Sequence, residues 1–246
     1  MSRPSPRFSV IVPMKDEAPN VAAMADEIGA ACASLAPFEA IFVNDGSRDD
    51  TAGSIRAAQA HHPWLRVLHH RESCGQSAAL LSGVRAAQAP VCVTLDGDGQ
   101  NPPAEIPAMV QPLLDDADGH LGLVAGQRGI REDRMSRRIA SRAANALRRR
   151  LLHDDARDTG CGLKAFPRAV FLALPYFDHI HRYLPALVRR EGWTVAWIAV
   201  DHRPRRAGRS HYSNLGRAMV GALDLIGVWW LMRRRKRPTL TPEDSG

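Results

Sequence analysis

Through the first half of the chain, short apolar runs alternate with longer stretches whose apolar residues recur every three or four positions. The runs Phe8–Val12, Glu39–Val43, Leu65–Leu68, Val91–Leu95 and Leu121–Ala125 have the length and composition of buried strands. The stretches between them predict helices over Ala18–Leu35, Asp49–Ala60, Gln76–Ala87 and Pro103–Asp115. Strands alternating with helices define an α/β chain: a mainly parallel central sheet with helices on both faces. In the fourth run Val91, Val93 and Leu95 share one face and Cys92 and Thr94 the other, so both faces read as buried.

The second half departs from that alternation. A helix is predicted from about Asp133 to Leu152, with Met135, Ile139, Ala143, Ala146, Leu147 and Leu151 on one face and arginines over the rest. Gly162–Phe166 reads as a short strand, Arg168–Leu174 as a helical turn, His181–Arg190 as a helix and Trp193–Val200 as a strand. The stretch 202–212, HRPRRAGRSHY, has no periodicity and reads as a loop. Fifteen residues, AMVGALDLIGVWWLM, separate Arg217 from Arg233. As a helix they span roughly 22 Å, against a bilayer core of about 30 Å. Asp224 lies in their middle, so a spanning helix is disfavoured. Trp229 and Trp230 followed by RRRKR match an interfacial helix with an aromatic and cationic anchor; the bland alternative is a helix packed on the domain or on another subunit.

Charge sharpens this picture. The 246 residues carry a net +7, distributed unevenly. Residues 1–127 hold 8 basic and 15 acidic side chains, residues 128–150 hold 9 arginines against Glu132 and Asp133, residues 151–202 balance, and residues 203–246 hold 10 basic against 3 acidic. An acidic first half followed by two strongly basic segments points to a polyanionic partner on one side of the molecule. The basic helix reads either as solvated surface or as phosphate- or membrane-facing, and the second basic segment favours the latter. Nucleic acid is not expected, because the aromatics cluster and do not interleave with the basic residues. No signal peptide is expected, since the first apolar run ends at Pro13. Cys32, Cys74, Cys92 and Cys161 are far apart and read as packed thiols of a reducing compartment.

The chemistry concentrates at the strand ends. Val91–Pro103, VCVTLDGDGQNPP, is a buried strand ending in Asp96 and Asp98 around Gly97. Carboxylates there are costly unless something binds them. The carboxyl end of a strand in an open α/β sheet is where ligands sit. Two hard oxygen donors suit Mg²⁺ or Mn²⁺ held with substrate phosphates. The first strand runs into Pro13, Lys15, Asp16 and Glu17, the second into Asn44, Asp45, Gly46 and Ser47, and the third leads to Gly75, Gln76 and Ser77. Four consecutive strand ends thus carry polar residues and glycines, as a nucleotide site requires. Asp16 or Asp49 is placed to cap a following helix.

These motifs carry a resemblance. The opening VPMKDE, NDGSRDDT at 44–51, LDGDGQNPP at 95–103, the basic stretch from Arg128, DTGCGLKAF at 158–166 and HRPRRAGRSHY at 202–212 resemble the family 2 glycosyltransferases of GT-A fold. Within them the branch most similar makes polyprenyl-phosphate sugars, the dolichyl-phosphate mannosyltransferase type. The resemblance covers roughly residues 7–217 and a family-like C-terminal helix. It implies a tail at 1–6, a catalytic domain at 7–212 with a donor half 7–127 and an acceptor half 128–212, an amphipathic segment with its basic cluster at 213–237, and a tail at 238–246. It implies inverting transfer of a sugar from a UDP- or GDP-linked donor to a polyprenyl phosphate at the cytoplasmic membrane face. The alternative is a related enzyme with a soluble glycan or protein acceptor. That alternative leaves the arginine loop and the Trp–Arg tail without a task.

Roles follow residue by residue. Pro13, Lys15, Glu17, Asp45, Ser47, Gln76 and Asp96 are expected to line the donor site, with Asp45 accepting a hydrogen bond from base or ribose. Asp98, Asp96 and, by resemblance, Gln100 are the expected metal ligands. A phosphate monoester is largely ionised near pH 7, with a second pKa of about 6, and attacks without a strong general base. It needs cationic clamps, for which Arg128, Arg131, Lys164, Arg203, Arg205 and Arg209 are the candidates, helped by Ser210 and His211. Asp158 orients an arginine, binds a sugar hydroxyl or caps a turn; with Asp98 and Arg128 it completes the expected catalytic set. His181 and Arg182 resemble a family feature beside sugar or acceptor, or belong to a helix surface. Many relatives carry two membrane helices after the catalytic domain. This chain shows one short amphipathic segment, which leaves room for an integral-membrane partner or a homo-oligomer.

Overall fold

The computed structural model describes residues 4–128, 148–152, 154–156, 158, 160–204 and 214–236. Phe8–Met14 (β1) pairs in parallel with Phe38–Asp45 (β2) on one side and Val91–Thr94 (β4) on the other, and β2 pairs in parallel with Leu65–His70 (β3). Lys164–Pro167 (β6) enters antiparallel beside β4. Leu121–Arg128 (β5) follows it, and Thr194–Val200 (β7) closes the edge in parallel with β5. The seven strands run in the order β3-β2-β1-β4-β6-β5-β7. Every pairing among the described strands is parallel except the two that β6 makes, as a mainly parallel α/β sheet requires. The expected donor and acceptor halves share this one sheet.

Both sheet faces are covered. Val21–Cys32 (α1), Thr51–His61 (α2) and Ile106–Leu114 (α4) pack on one, where Val10, Val12, Phe42 and Val93 join Ile28, Ile55 and Met109. Gln76–Ala86 (α3), Arg168–Ala173 (α5) and Leu184–Arg190 (α6) cover the other, with Ile11, Ile41 and Phe166 against Leu80, Phe171 and Leu187. The run Val91–Leu95 is buried on both faces, as its composition requires.

Several boundaries differ from the sequence expectation, each for a physical reason. β2 extends through Asp45 because Asn44 and Asp45 pair with His69 and His70 of β3. β5 reaches Arg128 because β7 gives it partners as far as Val200. The helix expected at His181–Arg190 is split into a 3₁₀ turn, Ile180–Arg182, and α6, which has Pro185 in its first turn. Proline lacks the N–H an unbroken helix would need there. Of the basic helix expected over 133–152, residues 148–152 are helical; the rest lies outside the described residues.

Asn214–Arg233 (α7) is the C-terminal helix. Among the described residues no helix is long and apolar enough to cross a membrane. One face of α7 docks on the domain: Leu225, Val228, Trp229 and Met232 join the cluster beneath α6. Four polar ties hold it there. Asp224 Oδ2 lies 2.9 Å from His179 Nδ1, Tyr183 donates to the Gly221 carbonyl at 3.3 Å, Arg190 Nε donates to the Leu231 carbonyl at 3.0 Å, and Arg235 pairs with Glu191 at 2.8 Å. The packed-helix alternative therefore holds for this face. The opposite face leaves Leu223, Ile226 and Trp230 exposed at 66%, 63% and 52%.

Candidate active site

The loops after β1 and β2 are stitched together. Lys15 Nζ donates to the Gly46 carbonyl at 2.6 Å, the Asp16 N–H to Ser47 Oγ at 3.0 Å, the Arg48 N–H to Asp16 Oδ1 at 2.6 Å and the Glu17 N–H to Thr51 Oγ1 at 3.0 Å. Asp49, expected as a cap, accepts from the N–H of Thr51 at the start of α2 and from that of Ala18. Asp16 caps nothing; it sits at φ +54° and holds Arg48. Pro13 closes on the D-G-D turn: a Cβ at Gly97 would meet the Pro13 carbonyl oxygen at 2.7 Å.

Asp45 stands at the end of β2, 4% exposed. Its Oδ1 faces His70 Nδ1 at 2.7 Å and accepts the Cys74 N–H at 2.8 Å; its Oδ2 accepts from Ser73 Oγ at 2.8 Å and from the Gly75 N–H at 2.9 Å. Burial alone would raise this carboxyl, but these donors outweigh it and hold it below the usual carboxylate range. All four lone-pair directions are thus used within the protein. Sequence reasoning placed Asp45 at the tip of its strand but missed its partner His70, which the β2–β3 register brings opposite it. In this geometry Asp45 fixes the 73–75 loop that leads to α3. A bond to base or ribose would have to replace one of those four.

Asp96 and Asp98 leave β4 beside the start of α3. Gln76 Nε2 donates to Asp96 Oδ1 at 2.7 Å, and Asp98 Oδ1 accepts the Gln100 N–H at 3.1 Å. Gly162 lies directly over Asp96, where any Cβ would collide with its carboxylate. Burial and then the charge of Asp98 push the Asp96 carboxyl up to about 6, while Lys164 and Arg128 pull it back. The Asp98 charge bears on the buried Asp96 carboxyl, and Gln100 follows two residues on; carboxylate and amide oxygens are the hard donors that a divalent cation takes. The residues fit Mg²⁺ or Mn²⁺.

The cations sit around this pair. Arg128, at the end of β5, donates from Nε to Asp158 Oδ2 at 2.5 Å and from NH2 to Asp158 Oδ1 at 2.9 Å; the Gly160 N–H adds a third bond at 3.0 Å. Burial would raise Asp158, yet the bonds and charge of Arg128 hold it below its ordinary value. Of the three roles open to Asp158, the structure shows the first: it orients an arginine. Lys164, expected at the acceptor phosphate, is 3% exposed, with Nζ on the Cys161 carbonyl. Burial lowers its pKa, opposed by Cys161, Asp96 and Asp158. It underlies the carboxylates as a counter-charge and does not reach into open space, because β6 carries it into the sheet.

Arg203 also differs from expectation. Its guanidinium bonds Glu27 of α1 at 2.7 Å, and its N–H bonds the Gln100 carbonyl at 2.8 Å. It ties the root of the arginine loop to the metal-motif turn. Arg131, Arg205, Arg209, Ser210 and His211 lie outside the described residues. His181 is half-buried and engaged, not an open helix-surface residue: its Nδ1 is 2.8 Å from Ser77 Oγ, and burial, aided by Lys164, Arg182 and His179, holds its pKa down at about 3. The sequence signal for it was only its place in the HIHRY run.

Residues 9–174 match the glycosyl transferase family 2 profile, and the chain belongs to that family. Over 236 residues it is 32% identical to the dodecaprenyl-phosphate galacturonate synthase of Rhizobium johnstonii, covering 94% of this chain and 69% of that protein. Over 219 residues it is 33% identical to the undecaprenyl-phosphate 4-deoxy-4-formamido-L-arabinose transferase of Serratia proteamaculans, covering 87% and 65%. The chain thus spans about two thirds of the length of these relatives. Its fold matches glucosyl-3-phosphoglycerate synthase from Mycobacterium tuberculosis, solved with Mn²⁺, UDP and glucosyl-3-phosphoglycerate, at a TM-score of 0.67 and 20% identity, over 92% of this chain and 80% of that one. The fold is of GT-A type, as the motifs implied.

Proposed function

We propose that the chain transfers a sugar from a nucleoside-diphosphate sugar to a polyprenyl phosphate, with inversion, at the cytoplasmic face of a membrane. The observation that carries this reading is the convergence of Asp96, Asp98, Gln76 and the Arg128–Asp158 pair at one end of the sheet, in a chain whose named relatives are polyprenyl-phosphate sugar transferases. Asp96, Asp98 and Gln100 would hold Mg²⁺ or Mn²⁺, the latter present in the M. tuberculosis neighbour. That ion, when bound, neutralises charge on the leaving diphosphate.

The remaining work falls to the chain's own residues. The zipped loops carrying Pro13, Lys15, Glu17 and Ser47, with the 73–75 loop fixed by Asp45, form the nucleoside end of the pocket. Gln76 fixes the orientation of Asp96. Arg128, held by Asp158, presents a directed guanidinium beside the donor phosphates, where it draws the acceptor phosphate into line with the anomeric carbon. Lys164 limits the repulsion among Asp96, Asp98 and Asp158. Arg131, Arg205, Arg209, Ser210 and His211 complete the acceptor clamp in this reading. The incoming phosphate is its own nucleophile, so attack is in line and the anomeric configuration inverts.

The outward face of α7 gives this site a membrane. Leu223, Ile226 and Trp230 would enter the interface, while Arg233, Arg234 and Lys236 meet anionic headgroups. Arg233 and Arg234 lie over Trp229 and Trp230, at 4.0 and 5.3 Å from the ring centroids, pairing cation and aromatic anchor. The test is a matrix of UDP- and GDP-sugars against polyprenyl phosphate, with product mass and metal dependence read out. A metal-dependent glycosyl-phosphoryl-lipid product supports the reading. Turnover with soluble glycans alone overturns it.

A further inference from the structure

We propose that Asp45, His70 and Cys74 form a second metal site, for a thiophilic divalent ion such as Zn²⁺, at the nucleoside end of the donor pocket. One carboxylate oxygen, one imidazole nitrogen and the thiol sulfur lie within 4.8 Å of one another. Three ligands of these types, with a fourth position open, are a recurrent zinc environment. Zinc bonds of about 2.0–2.3 Å in a tetrahedron place donor atoms about 3.3–3.6 Å apart. The present spacings lie near that value: the Asp45 Oδ1 to His70 Nδ1 distance is 2.7 Å, and all three ligand atoms are within 4.8 Å of one another. The ion takes the place of the proton shared by Oδ1 and Nδ1, and the pair opens by about half an ångström to admit it.

The surroundings are already built for this. The Ser73 hydroxyl and the Gly75 N–H hold the other oxygen of Asp45, and Ser82 Oγ lies 2.9 Å from His70 Nε2, so both ligands are oriented from behind. Cys74, which precedes Gly75 at φ +87°, is exposed and not packed as the sequence suggested, while the other three cysteines are buried as expected. Sulfur and imidazole discriminate against Mg²⁺, and the all-oxygen set at Asp96 and Asp98 does the reverse. The two sites therefore select different ions. Since Asp45 fixes the 73–75 loop in the donor pocket, zinc there would block the nucleoside end and slow the enzyme. That consequence rests on the donor-site reading given above; the metal site itself does not.

Cobalt(II) titration of the full chain tests it, because cobalt bound to sulfur shows a thiolate charge-transfer band and cobalt at an oxygen site does not. Burial pushes the Cys32 and Cys92 thiols up to about 12 and raises that of Cys161, so such a band reports Cys74. The wild-type chain should show the band, zinc should bleach it, and Cys74→Ser should abolish it. Zinc affinity should fall by about tenfold or more in Cys74→Ser, the scale on which metal sites respond to losing even an outer partner. No band in the wild type, or an equal band in Cys74→Ser and Cys74→Ala, overturns the site. In excess Mg²⁺, zinc should weaken UDP or GDP binding to the wild type and not to Cys74→Ser. Zinc bound through Cys74 with nucleotide affinity unchanged would leave the metal site standing and overturn the placement of the nucleoside.

Discussion

Asp158 grips the Arg128 guanidinium through two parallel bonds, Nε to Oδ2 at 2.5 Å and NH2 to Oδ1 at 2.9 Å. Such a fork sets direction as well as charge. Asp158 acts here as a positioning residue for the arginine proposed to meet the acceptor phosphate. Asp158→Asn keeps the volume but sets an amide N–H₂ against one arm of the fork. Turnover should fall about 100-fold, the penalty of a small misplacement at a reacting centre. Nucleoside-diphosphate affinity should stay close to wild type. Parallel losses in donor affinity and turnover would move Arg128 to the donor site. Arg128→Lys should not rescue, since an ammonium cannot form the fork.

Asp98→Ala should cut turnover by a few orders of magnitude and abolish Mn²⁺ binding, followed by electron paramagnetic resonance or calorimetry. The fold should survive, because Asp98 follows the strand end and removing it lessens the repulsion that helps push Asp96 up to about 6. Full activity of this variant in the presence of a chelator would refute the metal role.

Asp45→Asn should destabilise the chain by about 2–3 kcal/mol, because an amide cannot accept all four bonds and leaves buried donors unmatched. Denaturant unfolding measures this directly. An unchanged midpoint would show that the 73–75 loop is held by other contacts.

His181 supplies a pH signature. Its folded pKa of about 3 lies below the reference 6.5. Between those values the unfolded chain binds a proton that the folded imidazole refuses. Stability is therefore fully present above about pH 6.5 and is lost as pH falls toward 3, by up to about 1.4 kcal/mol per pH unit from this group. His181→Gln should show a shallower fall than wild type in urea unfolding from about pH 6.5 to 4.5. Identical slopes would mean that the ring is hydrated.

What the sequence made legible, and what it did not, follows from where each interaction lives. Val91–Leu95 could be read as a buried strand because burial on both faces is a local pattern, and the D-G-D turn lies at its end because the strand stops there. Lys15, Ser47, Gln76 and Asp96 were read because they sit at strand or helix ends, which topology brings together. The bonds of Asp45 to His70 and of His181 to Ser77 could not be read: they join residues 25 and 104 positions apart and depend on register. Lys164 and Arg203 show the same limit. Charge and neighbourhood suggested a phosphate clamp, but only the path of β6 and the proximity of α1 reveal that Lys164 is buried and Arg203 bound to Glu27. The C-terminal segment was read as either interfacial or packed. Its two faces have different fates, which hydropathy averaged over a helix cannot separate.

Those two faces decide how the membrane proposal must be tested. Deleting α7 would strip Leu225, Val228, Trp229 and Met232 from the cluster they share with Tyr183 and Leu184, so loss of binding by a truncated chain would report damage as much as a missing anchor. Substitution of the outward face avoids this. Leu223→Glu, Ile226→Glu and Trp230→Glu together remove the exposed apolar stripe and leave the inward packing and the His179–Asp224 contact in place. The full-length chain should bind vesicles rich in anionic lipid, be partly released by high salt as its cationic contribution is screened, and be extracted by alkaline carbonate. The triple variant should fail to bind those vesicles while melting close to wild type. Its turnover should drop with polyprenyl phosphate presented in bilayers and hold with a short-chain acceptor dissolved in detergent. Undiminished vesicle binding by the triple variant would exclude α7 as the anchor. Equal loss of turnover with both acceptors would mean that the outward face serves a protein contact and not a lipid surface.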